Sequence, residues 1–465
     1  MSLGGFIMNK WIDKAIFYHI YPLGFCGAPF ENDLNSEPFF RLLKIEKWIT
    51  HLKQLNINAL YLGPVFESSS HGYDTIDYFK IDRRLGTNES FKELVKLLHE
   101  NGIKVIVDGV FNHVGRDFPS FKDVIQNKQQ SQFCNWFSNL NFGGNTPYND
   151  SFYYEPWNGH YNLVKLNTFN IDVKNYIFDV IKFWIEQFDI DGIRLDAADC
   201  IDINFLKELA NLVRSINPEI FIFGEIIHGD YTRWANKEAL DSVTNYECYK
   251  GLYSSHNEKN YFEIAYSLNR QFGNGGIYKG IPLYNFVDNH DVNRLASNLN
   301  NSKYLKLTYT ILYTMPGIPS IYYGSEWGIE GIRTRESDLV LRPNLDLEEM
   351  NKNAPCKELP DFISKLGEIR LKSKALKKGI YKQLLVANKH FVFQRQFEDE
   401  IVIVALNLDD KDVEVDINVD FEGKKFTDNL SKDSELIIKN NKAHITIPAF
   451  DAKIYISSQS NNLLN

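Results

Sequence analysis

Short apolar segments alternate along the chain with segments whose apolar residues recur every three or four positions. The first kind predicts buried strands, and the second predicts amphipathic helices that cover them. Eight predicted strands follow one another in this way, the sixth of them weak. They are AIFYHIYPLGF (15–25), INALYLGPVF (57–66), IKVIVDGVFN (103–112), DGIRLDAAD (191–199), IFIFGEII (220–227), SVTNYECY (242–249), LYNFVDNHD (283–291) and PSIYYGSEW (319–327).

The segments between these strands predict helices. One is expected to begin at Ser90, with Glu93 three residues later as in a capping box, and to stop at Gly102. Alternation of strand and helix predicts an α/β fold with a parallel sheet, and eight units predict a closed (β/α)8 TIM barrel. An open doubly wound sheet is the alternative, but no GxGxxG motif follows any of these strands.

Two segments depart from the alternation. Residues 113–163 form a long excursion after the third strand, rich in aromatic residues and asparagine, and long excursions are usually functional lids or small subdomains. From residue 376 apolar and polar residues alternate between turn residues, which predicts a C-terminal antiparallel β-sandwich. The predicted domains are a catalytic barrel over 1–112 and 164–375, an inserted subdomain over 113–163 and a β-sandwich over 376–465.

Polar residues cluster where the predicted barrel strands end. The carboxyl ends of barrel strands meet at one rim, which is where active sites of such barrels lie. Arg194 and Asp196 are two apart on a strand and therefore share a face. The rim residues are Asp108, Asn112, His113, Arg194, Asp196, Glu225, Asp288, Asn289, His290, Asp291 and Glu326.

Several carboxylates on one rim suit two chemistries. They could hold a divalent cation through oxygen ligands. They could also hydrolyse glycosides, since one carboxyl group protonates the leaving oxygen and a second attacks the anomeric carbon or activates water. A single carboxylate of this kind more often stabilises the N-terminus of the following helix, and Glu326 is expected to be structural. The set as a whole favours an active site.

Composition and charge narrow the range of functions. The formal net charge is −9, which argues against nucleic-acid binding because phosphate contacts need a basic surface. No run of about 18 apolar residues is present, so no membrane-spanning helix is expected. Residues 1–14 lack the pattern of a signal peptide, so a cytoplasmic protein is expected.

Four short motifs resemble those of the α-amylase family of retaining glycoside hydrolases. They are DGVFNH (108–113), GIRLDAAD (192–199), FGEI (223–226) and FVDNHD (286–291). Their order and their predicted strand ends fit that family. Two further segments, HGYDTIDY (71–78) and MPGIPSIYYGSE (315–326), are also similar to it. The resemblance extends over nearly the whole chain and implies a barrel, a subdomain after the third strand and a C-terminal β-domain.

The resemblance implies three catalytic carboxylates. Asp196 matches the nucleophile, Glu225 matches the general acid/base, and Asp291 matches the carboxylate that holds sugar hydroxyls in the transition state. Arg194 matches the arginine beside the nucleophile. A nucleophile must be ionised, and a neighbouring guanidinium lowers a carboxyl pKa, so Arg194 is expected to keep Asp196 ionised.

The resemblance also implies substrate-binding residues. His113 and His290 match histidines that hydrogen-bond the sugar at the cleavage point. Tyr73 matches the aromatic residue under that sugar ring, and Asp74 follows it in the family's pattern.

One pair of residues departs from the family's pattern, and one residue matches a metal-binding position in it. Many members carry a Lys–His pair where this sequence has Asp199 and Cys200, so the subsite for the leaving sugar is expected to differ, with Asp199 among its residues. Asn112 matches a position that holds calcium in many members. No cofactor is expected to be required for the chemistry, and calcium at Asn112 is a candidate.

The segment LVKLNTFNIDVKNYIFDVIKFWI (163–185) is most similar to the neopullulanase and cyclomaltodextrinase branch. That branch usually has an extra N-terminal β-domain, for which the first predicted strand near residue 15 leaves no room. The dimer common in the branch is therefore uncertain, and monomer and dimer both remain open. The expected partner is an α-glucan oligosaccharide.

The leading hypothesis is hydrolysis of α-1,4-glucosidic bonds in starch-derived maltooligosaccharides by a retaining double displacement. The alternatives with the same three carboxylates are a 4-α-glucanotransferase, a cyclomaltodextrinase or neopullulanase, and an oligosaccharide α-glucosidase. A non-catalytic binding subunit would be expected to lack one of the carboxylates. A metal-dependent hydrolase is disfavoured because the histidines are not spaced as a ligand set.

Overall fold

The computed structural model describes residues 11–335, 337–421, 425–431 and 434–457. Most of the N-terminal segment on which the signal-peptide expectation rests, residues 1–10, lies outside the described residues. Within the described ranges, none of the helices combines the length and the apolar character that crossing a membrane requires.

Eight parallel strands form one sheet, as the sequence predicts. Its strands are β1 (Phe17–Ile20), β2 (Ala59–Leu62), β3 (Lys104–Gly109), β4 (Gly192–Leu195), β5 (Phe221–Gly224), β6 (Ser242–Val243), β7 (Tyr284–Phe286) and β8 (Ile318–Tyr322). Strands β1 to β6 pair in sequence order, β8 pairs with β1, and β7 pairs with β8. An isolated parallel bridge between Thr244 and Tyr284 joins the two edges. The predicted TIM barrel is therefore confirmed.

The register of β3 and β4 places two charged residues at the same level. Arg194 of β4 pairs with Asp108 of β3 and with Phe223 of β5. Because the strands are parallel, Asp196 and Glu225, which directly follow β4 and β5, emerge at the same rim. Below them the barrel interior is filled by aromatic and aliphatic side chains, including Phe17, Tyr61, Ile106, Phe221, Phe223, Tyr284, Phe286 and Ile318.

Helices cover the outside of the barrel. The α-helices are Pro22–Phe25, Ile49–Gln54, Asn88–Glu100, Pro119–Asn127, Ile171–Phe188, Ile203–Ile216, Tyr246–Asn257, Phe262–Phe272, Leu295–Asn298, Tyr304–Thr314, Leu347–Asn353, Leu359–Lys372 and Lys374–Lys378. The 3-10 helices are Ile12–Lys14, Arg41–Trp48, Lys128–Gln130, Cys134–Trp136, Ala198–Cys200, Tyr231–Arg233, Ser325–Trp327 and Leu339–Leu341. Their apolar faces pack with the outer face of the sheet in one large core.

The helix Asn88–Glu100 begins earlier than its sequence pattern suggests. Its N-cap is Thr87, whose backbone is extended and whose side chain accepts from Ser90 N, while the Ser90 side chain accepts from Thr87 N. The expectation of a cap at Ser90 is therefore wrong by three residues. Ser90 is the third residue of the helix and closes the capping box in the place expected for Glu93.

The excursion after β3 has its own small sheet. Its strands are His113–Gly115, Pro156–Trp157 and His160–Lys165. Buried aromatic side chains, among them Phe121, Phe152 and Tyr154, pack edge to face beneath it. A second small antiparallel pair, Phe66–Ser68 with Thr75–Ile81, follows β2 and carries the loop that contains Tyr73 and Asp74.

The C-terminal part is an antiparallel β-structure, as predicted. One sheet contains Ile380–Val386, His390–Phe397, Glu400–Asn407, Ala452–Ser457, Phe426–Asp428 and Glu435–Leu436. A second sheet contains Val413–Asn418, Lys442–Ile447 and Ile438–Lys439. Alternate residues of the two sheets, such as Ile403 and Ile445, share one apolar core, which explains the period-two pattern of the sequence.

Candidate active site

Arg194 lies at the centre of the polar cluster at the barrel mouth. Its Nη1 donates to both oxygens of Asp108 and to Oδ1 of Asp196, each at 2.9 Å. Its Nη2 lies 3.0 Å from Oε2 of Glu225. The residue is only 3% exposed. One buried cation therefore faces three carboxylates, so the cluster is acidic overall.

The turn after β4 directs Asp196 into this cluster. The Asp196 amide donates to Gly109 O at 3.1 Å, which ties the turn to the end of β3. The next residue, Ala197, is left-handed at φ 44° and ψ 43°. A residue with a side chain pays roughly 1–2 kcal/mol for that conformation, and such strain often accompanies functional sites. The Ala197 amide donates to Glu225 Oε2 at 3.2 Å, so the strained turn also orients a second carboxylate.

Glu225 directly follows β5, and its backbone is fixed by β4. Its amide donates to Leu195 O at 2.9 Å, and the Ala198 amide donates to Glu225 O at 3.1 Å. On the other side, the Tyr246 hydroxyl lies 3.4 Å from Oε1, and Asn289 Nδ2 donates to that hydroxyl at 3.1 Å. Glu225 is thus contacted by residues of β4 and of the segments that follow β4 and β6, and Asn289, which follows β7, supports Tyr246.

Asp291 is held by a histidine and an arginine. Nε2 of His290 lies 3.0 Å from Oδ2, and Nη2 of Arg342 lies 2.9 Å from Oδ1. The Tyr73 hydroxyl lies 2.5 Å from His290 Nε2, and the two rings are parallel with centroids 5.3 Å apart. Arg342 also contacts Asp338 at 2.6 Å. The structure therefore brings Tyr73, His290 and Asp291 together at the rim, as the sequence predicts.

His113 also lies close to Asp196. Its Nε2 is 4.0 Å from Asp196 Oδ2, and its ring centroid is 5.3 Å from that of Trp157 in the excursion. Nε2 of His113 and Nδ1 of His290 are both buried without a hydrogen-bond partner. Buried polar atoms are rarely left unpaired, so these two nitrogens lack the partner that such atoms usually have.

Burial has the largest influence on the pKa of Asp196 and raises it. Arg194 lowers it, but Glu225 and Asp108 raise it again, and the net pKa lies well above the usual range. The expectation that Arg194 keeps Asp196 ionised is therefore wrong in its net direction, because three carboxylates share the guanidinium. Asp196 and Glu225 both contact Arg194, so the two carboxyl groups share one guanidinium.

Two neighbours of Asp196 have the opposite behaviour. Burial raises the pKa of Asp291, but His290, Arg342 and Arg194 outweigh burial and hold that pKa well below the usual range. Burial, with a smaller effect of His71, lowers the pKa of His113 to about 3. Near neutral pH the cluster therefore contains an ionised Asp291 and a neutral His113.

Two predicted substrate-binding residues, Asp74 and Asp199, have their contacts with groups other than the three predicted catalytic carboxylates. Asp74 is buried, and its Oδ2 accepts from Ser70 Oγ at 2.6 Å within its own loop. Asp199 is exposed in the turn Ala198–Cys200, beside the exposed Cys200. Burial, followed by Asp199, raises the pKa of the Cys200 thiol to about 11, so the thiol is uncharged. A role of either aspartate in sugar binding stays a prediction.

Asn112 is buried at the end of β3, and its Nδ2 lies 3.2 Å from His113 Nδ1. Its carbonyl oxygen accepts from Leu166 N at 3.0 Å. Among the residues that the structure describes, no three of His, Cys, Asp or Glu are grouped so as to hold a metal ion. Calcium prefers six to eight oxygen ligands with several carboxylates, so the surroundings of Asn112 fit it poorly. Calcium there stays a prediction, and no chemical step is derived from it.

Sequence patterns underestimated three contributors to the site. Asp108 binds Arg194 and accepts from the hydroxyls of Tyr61 and Tyr73 at 2.8 Å and 3.2 Å, so it links four residues of the cluster. Tyr61 lies within β2, where its pattern is that of a core residue. Arg342 lies in a loop without periodicity, so only the three-dimensional structure reveals its contact with Asp291.

Comparisons with known proteins agree with this geometry. Residues 42–365 match the family model described as the catalytic domain of α-amylase, and residues 381–454 match that of the maltogenic amylase C-terminal domain. A cyclomaltodextrinase from Thermoanaerobacter pseudethanolicus is 33% identical over 90% of this chain and 74% of its own length. An intracellular maltogenic amylase from Bacillus subtilis is 30% identical over 86% of this chain and 69% of its own length. A solved cyclomaltodextrinase structure superposes with a TM-score of 0.85 at 27% identity, over 97% of this chain and 79% of that one.

Proposed function

This chain belongs to the α-amylase family of glycoside hydrolases, and we propose that it cleaves the α-1,4-glucosidic bonds of maltooligosaccharides by a retaining double displacement. The observation that carries the proposal is the placement of Asp196 and Glu225 on one guanidinium, that of Arg194. Retaining glycosidases need a carboxylate nucleophile and a carboxylic acid on either side of the same bond. In this proposal Asp196 is the nucleophile and Glu225 is the acid.

The first proposed step requires a protonated Glu225 and an ionised Asp196. Glu225 gives that proton to the glycosidic oxygen while Asp196 attacks the anomeric carbon, and the bond between that carbon and the oxygen breaks. The leaving sugar departs with a new hydroxyl group, and Asp196 becomes an ester of the remaining sugar. Arg194 stays between Glu225, now a carboxylate, and the esterified Asp196.

In the second step, the Glu225 carboxylate takes a proton from water. The water oxygen attacks the anomeric carbon and displaces Asp196, which leaves as a carboxylate. The released sugar has the same anomeric configuration as the substrate, because the carbon has been inverted twice. Glu225 is protonated again, so both carboxyl groups return to the form in which the first step began.

We assign the remaining rim residues to positioning the sugar at the cleavage point. Asp291 is held as a carboxylate by His290 and Arg342, which suits acceptance of hydrogen bonds from sugar hydroxyls. The unpaired nitrogens of His113 and His290 are suited to the same sugar. Tyr73 supplies a flat apolar surface beside them, and its hydroxyl is already engaged by Asp108 and His290.

Cyclic α-glucans are a second candidate substrate. The relative from Thermoanaerobacter pseudethanolicus is named a cyclomaltodextrinase, which supports this choice. We also propose that the enzyme acts inside the cell, supported by the Bacillus subtilis relative that is named an intracellular maltogenic amylase.

The proposal is tested by following maltoheptaose hydrolysis with proton NMR. We expect the α-anomer of the new reducing end to appear first and then to mutarotate. First appearance of the β-anomer would show inversion and overturn the double displacement. The product profile on maltoheptaose, soluble starch and β-cyclodextrin distinguishes hydrolysis from transfer, because a glucanotransferase makes products longer than the substrate.

A further inference from the structure

A polar groove of about 550 Å³ lies between the loop after β2 and the excursion after β3. None of the carboxylates that contact Arg194 lines this groove. Asp74, in the loop after β2, does line it. Its lining residues are Glu31, Ser69, Ser70, Asp74, Arg116, Asp117, Lys122, Ile125, Gln126, Tyr148 and Asn162. The mechanism proposed above leaves this groove unused.

Tyr148 forms an exposed aromatic platform at the groove. Its side chain is 51% exposed, and the guanidinium carbon of Arg116 lies 3.9 Å from its ring centroid. Arg116 is itself fixed, because Nη1 and Nη2 contact Asp150 at 2.9 Å and 2.7 Å and Nη1 contacts the Tyr154 hydroxyl at 2.6 Å. The ring is therefore held in place by a rigid cation although much of it faces solvent.

Hydrogen-bonding groups of both kinds surround this platform. Asp74 is only 4% exposed and lines the groove, and its Oδ1 has no hydrogen-bond partner but lies 3.9 Å from His71 Nδ1. Asp117 accepts from Ser69 Oγ at 3.1 Å and keeps further acceptor capacity. Amide side chains of Gln126 and Asn162 add donors and acceptors.

This combination identifies the chemistry of the ligand. A sugar presents an apolar face of C–H groups and a rim of hydroxyls that both donate and accept hydrogen bonds. A fixed aromatic ring with carboxylates and amides beside it fits those two features. Both cationic side chains and carboxylates line the groove. This mixture gives neither a simple anion nor a metal ion an advantage over a neutral ligand.

We propose that this groove binds a segment of an α-glucan chain outside the catalytic cleft, with Tyr148 stacking on a sugar ring. The inference rests on the proposed function, because an α-glucan is the neutral ligand that a chain-cleaving enzyme meets. Tyr73 at the cleft and Asp74 in the groove are consecutive residues, so the two sites are neighbours. A long glucan held in the groove would be presented to the cleft more often than a short one.

The experiment compares Tyr148→Ala with Tyr148→Phe, which keeps the ring. A matched control is Tyr266→Ala, which removes a 70% exposed tyrosine from the helix Phe262–Phe272. Each protein is assayed for KM and kcat on soluble starch and on maltotriose. Retardation in native gels that contain soluble starch measures binding without any need for turnover.

We expect Tyr148→Ala to raise the KM for starch by roughly threefold to tenfold, the effect of losing one stacking contact. Its kinetics on maltotriose should stay within about twofold of the wild type, and retardation in starch gels should weaken. Tyr148→Phe and Tyr266→Ala should behave as the wild type in every assay.

Two results would overturn the groove. One is an unchanged starch KM and gel retardation in Tyr148→Ala. The other is an equal loss on starch and on maltotriose, which would indicate a structural role for Tyr148. Failure of the wild type to cleave either glucan would refute the proposed function instead. The gel measurement would then still decide whether Tyr148 binds starch.

Discussion

Arg342 Nη2 lies 2.9 Å from Asp291 Oδ1, which ties the irregular loop after β8 to the end of β7. No comparable cation is reserved for Asp196, which shares Arg194 with two other carboxylates. Two aspartates of one site therefore have opposite electrostatic settings. The pKa of Asp291 is lowered and that of Asp196 is raised.

Replacing each aspartate with asparagine should change stability in opposite directions at pH 7. A raised pKa means that ionising Asp196 costs more free energy in the folded than in the unfolded protein. Asp196→Asn should therefore raise the melting temperature by roughly 1–3 °C. A lowered pKa means that ionised Asp291 contributes stability above its unfolded pKa, so Asp291→Asn should lower the melting temperature by a similar amount. Scanning calorimetry at pH 7 measures both.

The same pair of variants carries its own control. The Asp196 difference should shrink as the pH falls toward about 4, because Asp196 is then protonated in both the folded and the unfolded state, whereas the Asp291 difference should persist at about pH 4 and be lost only at lower pH. Melting temperatures that shift in the same direction for both variants at pH 7 would contradict the electrostatic account of the site.

The pH dependence of kcat/KM should be bell-shaped with two carboxyl limbs. Activity falls on the acid side as the nucleophile Asp196 becomes protonated, and on the alkaline side as the proton needed by the leaving oxygen is lost. Because the pKa of Asp196 is raised, the acid limb should lie above the usual aspartate value of about 3.9. A flat profile between about pH 4 and pH 8 would refute a mechanism that needs one ionised and one protonated carboxyl group.

Glu326 should matter for stability and not for chemistry. It is fully buried behind β8, and its Oε1 accepts from the Tyr18 hydroxyl at 2.6 Å and lies 3.0 Å from His51 Nε2. Glu326→Ala leaves both partners buried without their acceptor, which should lower the free energy of unfolding by roughly 3–5 kcal/mol.

Denaturant unfolding and steady-state kinetics test that expectation together. Glu208→Ala, which removes a surface partner of Lys174, is the control and should leave the unfolding midpoint unchanged. A folded Glu326→Ala protein with normal stability but lost activity would place Glu326 in the catalytic machinery, contrary to its buried contacts.

Removing divalent cations should leave kcat/KM unchanged, because the proposed steps use only side chains of this chain. The measurement is the rate on maltoheptaose after dialysis against EDTA, with and without added calcium. A calcium ion held at Asn112 would be seen by equilibrium dialysis as one bound ion per chain. Loss of activity in EDTA that calcium restores would contradict a metal-free chemistry.

The sequence pattern predicted the barrel because its strands are short apolar runs that are buried on both faces. Even β6, with only Ser242 and Val243 in the strand, was found from its place in the alternation. The same reasoning put Arg194, Asp196 and Glu225 on one rim, since parallel strands end together. The structure brings those three into direct contact.

Other features depend on distances that no local pattern encodes. Arg342 reaches Asp291 across 51 residues of chain from a loop without periodicity. The raised pKa of Asp196 follows first from burial and then from the other carboxylates around one guanidinium, and both are visible only after folding. The cap at Thr87 was missed because Ser90 and Glu93 also satisfy the capping pattern.

The assignment of Glu225 as acid/base is tested most directly by Glu225→Gln on two substrates. Maltoheptaose has a poor leaving group that needs a proton, whereas maltosyl fluoride has a leaving group that does not. The variant should lose roughly 10²–10⁴ in kcat on maltoheptaose but still form a maltosyl ester, found by mass spectrometry on the peptide that contains Asp196. Full activity of Glu225→Gln on maltoheptaose, or a maltosyl ester on a residue other than Asp196, would contradict the account.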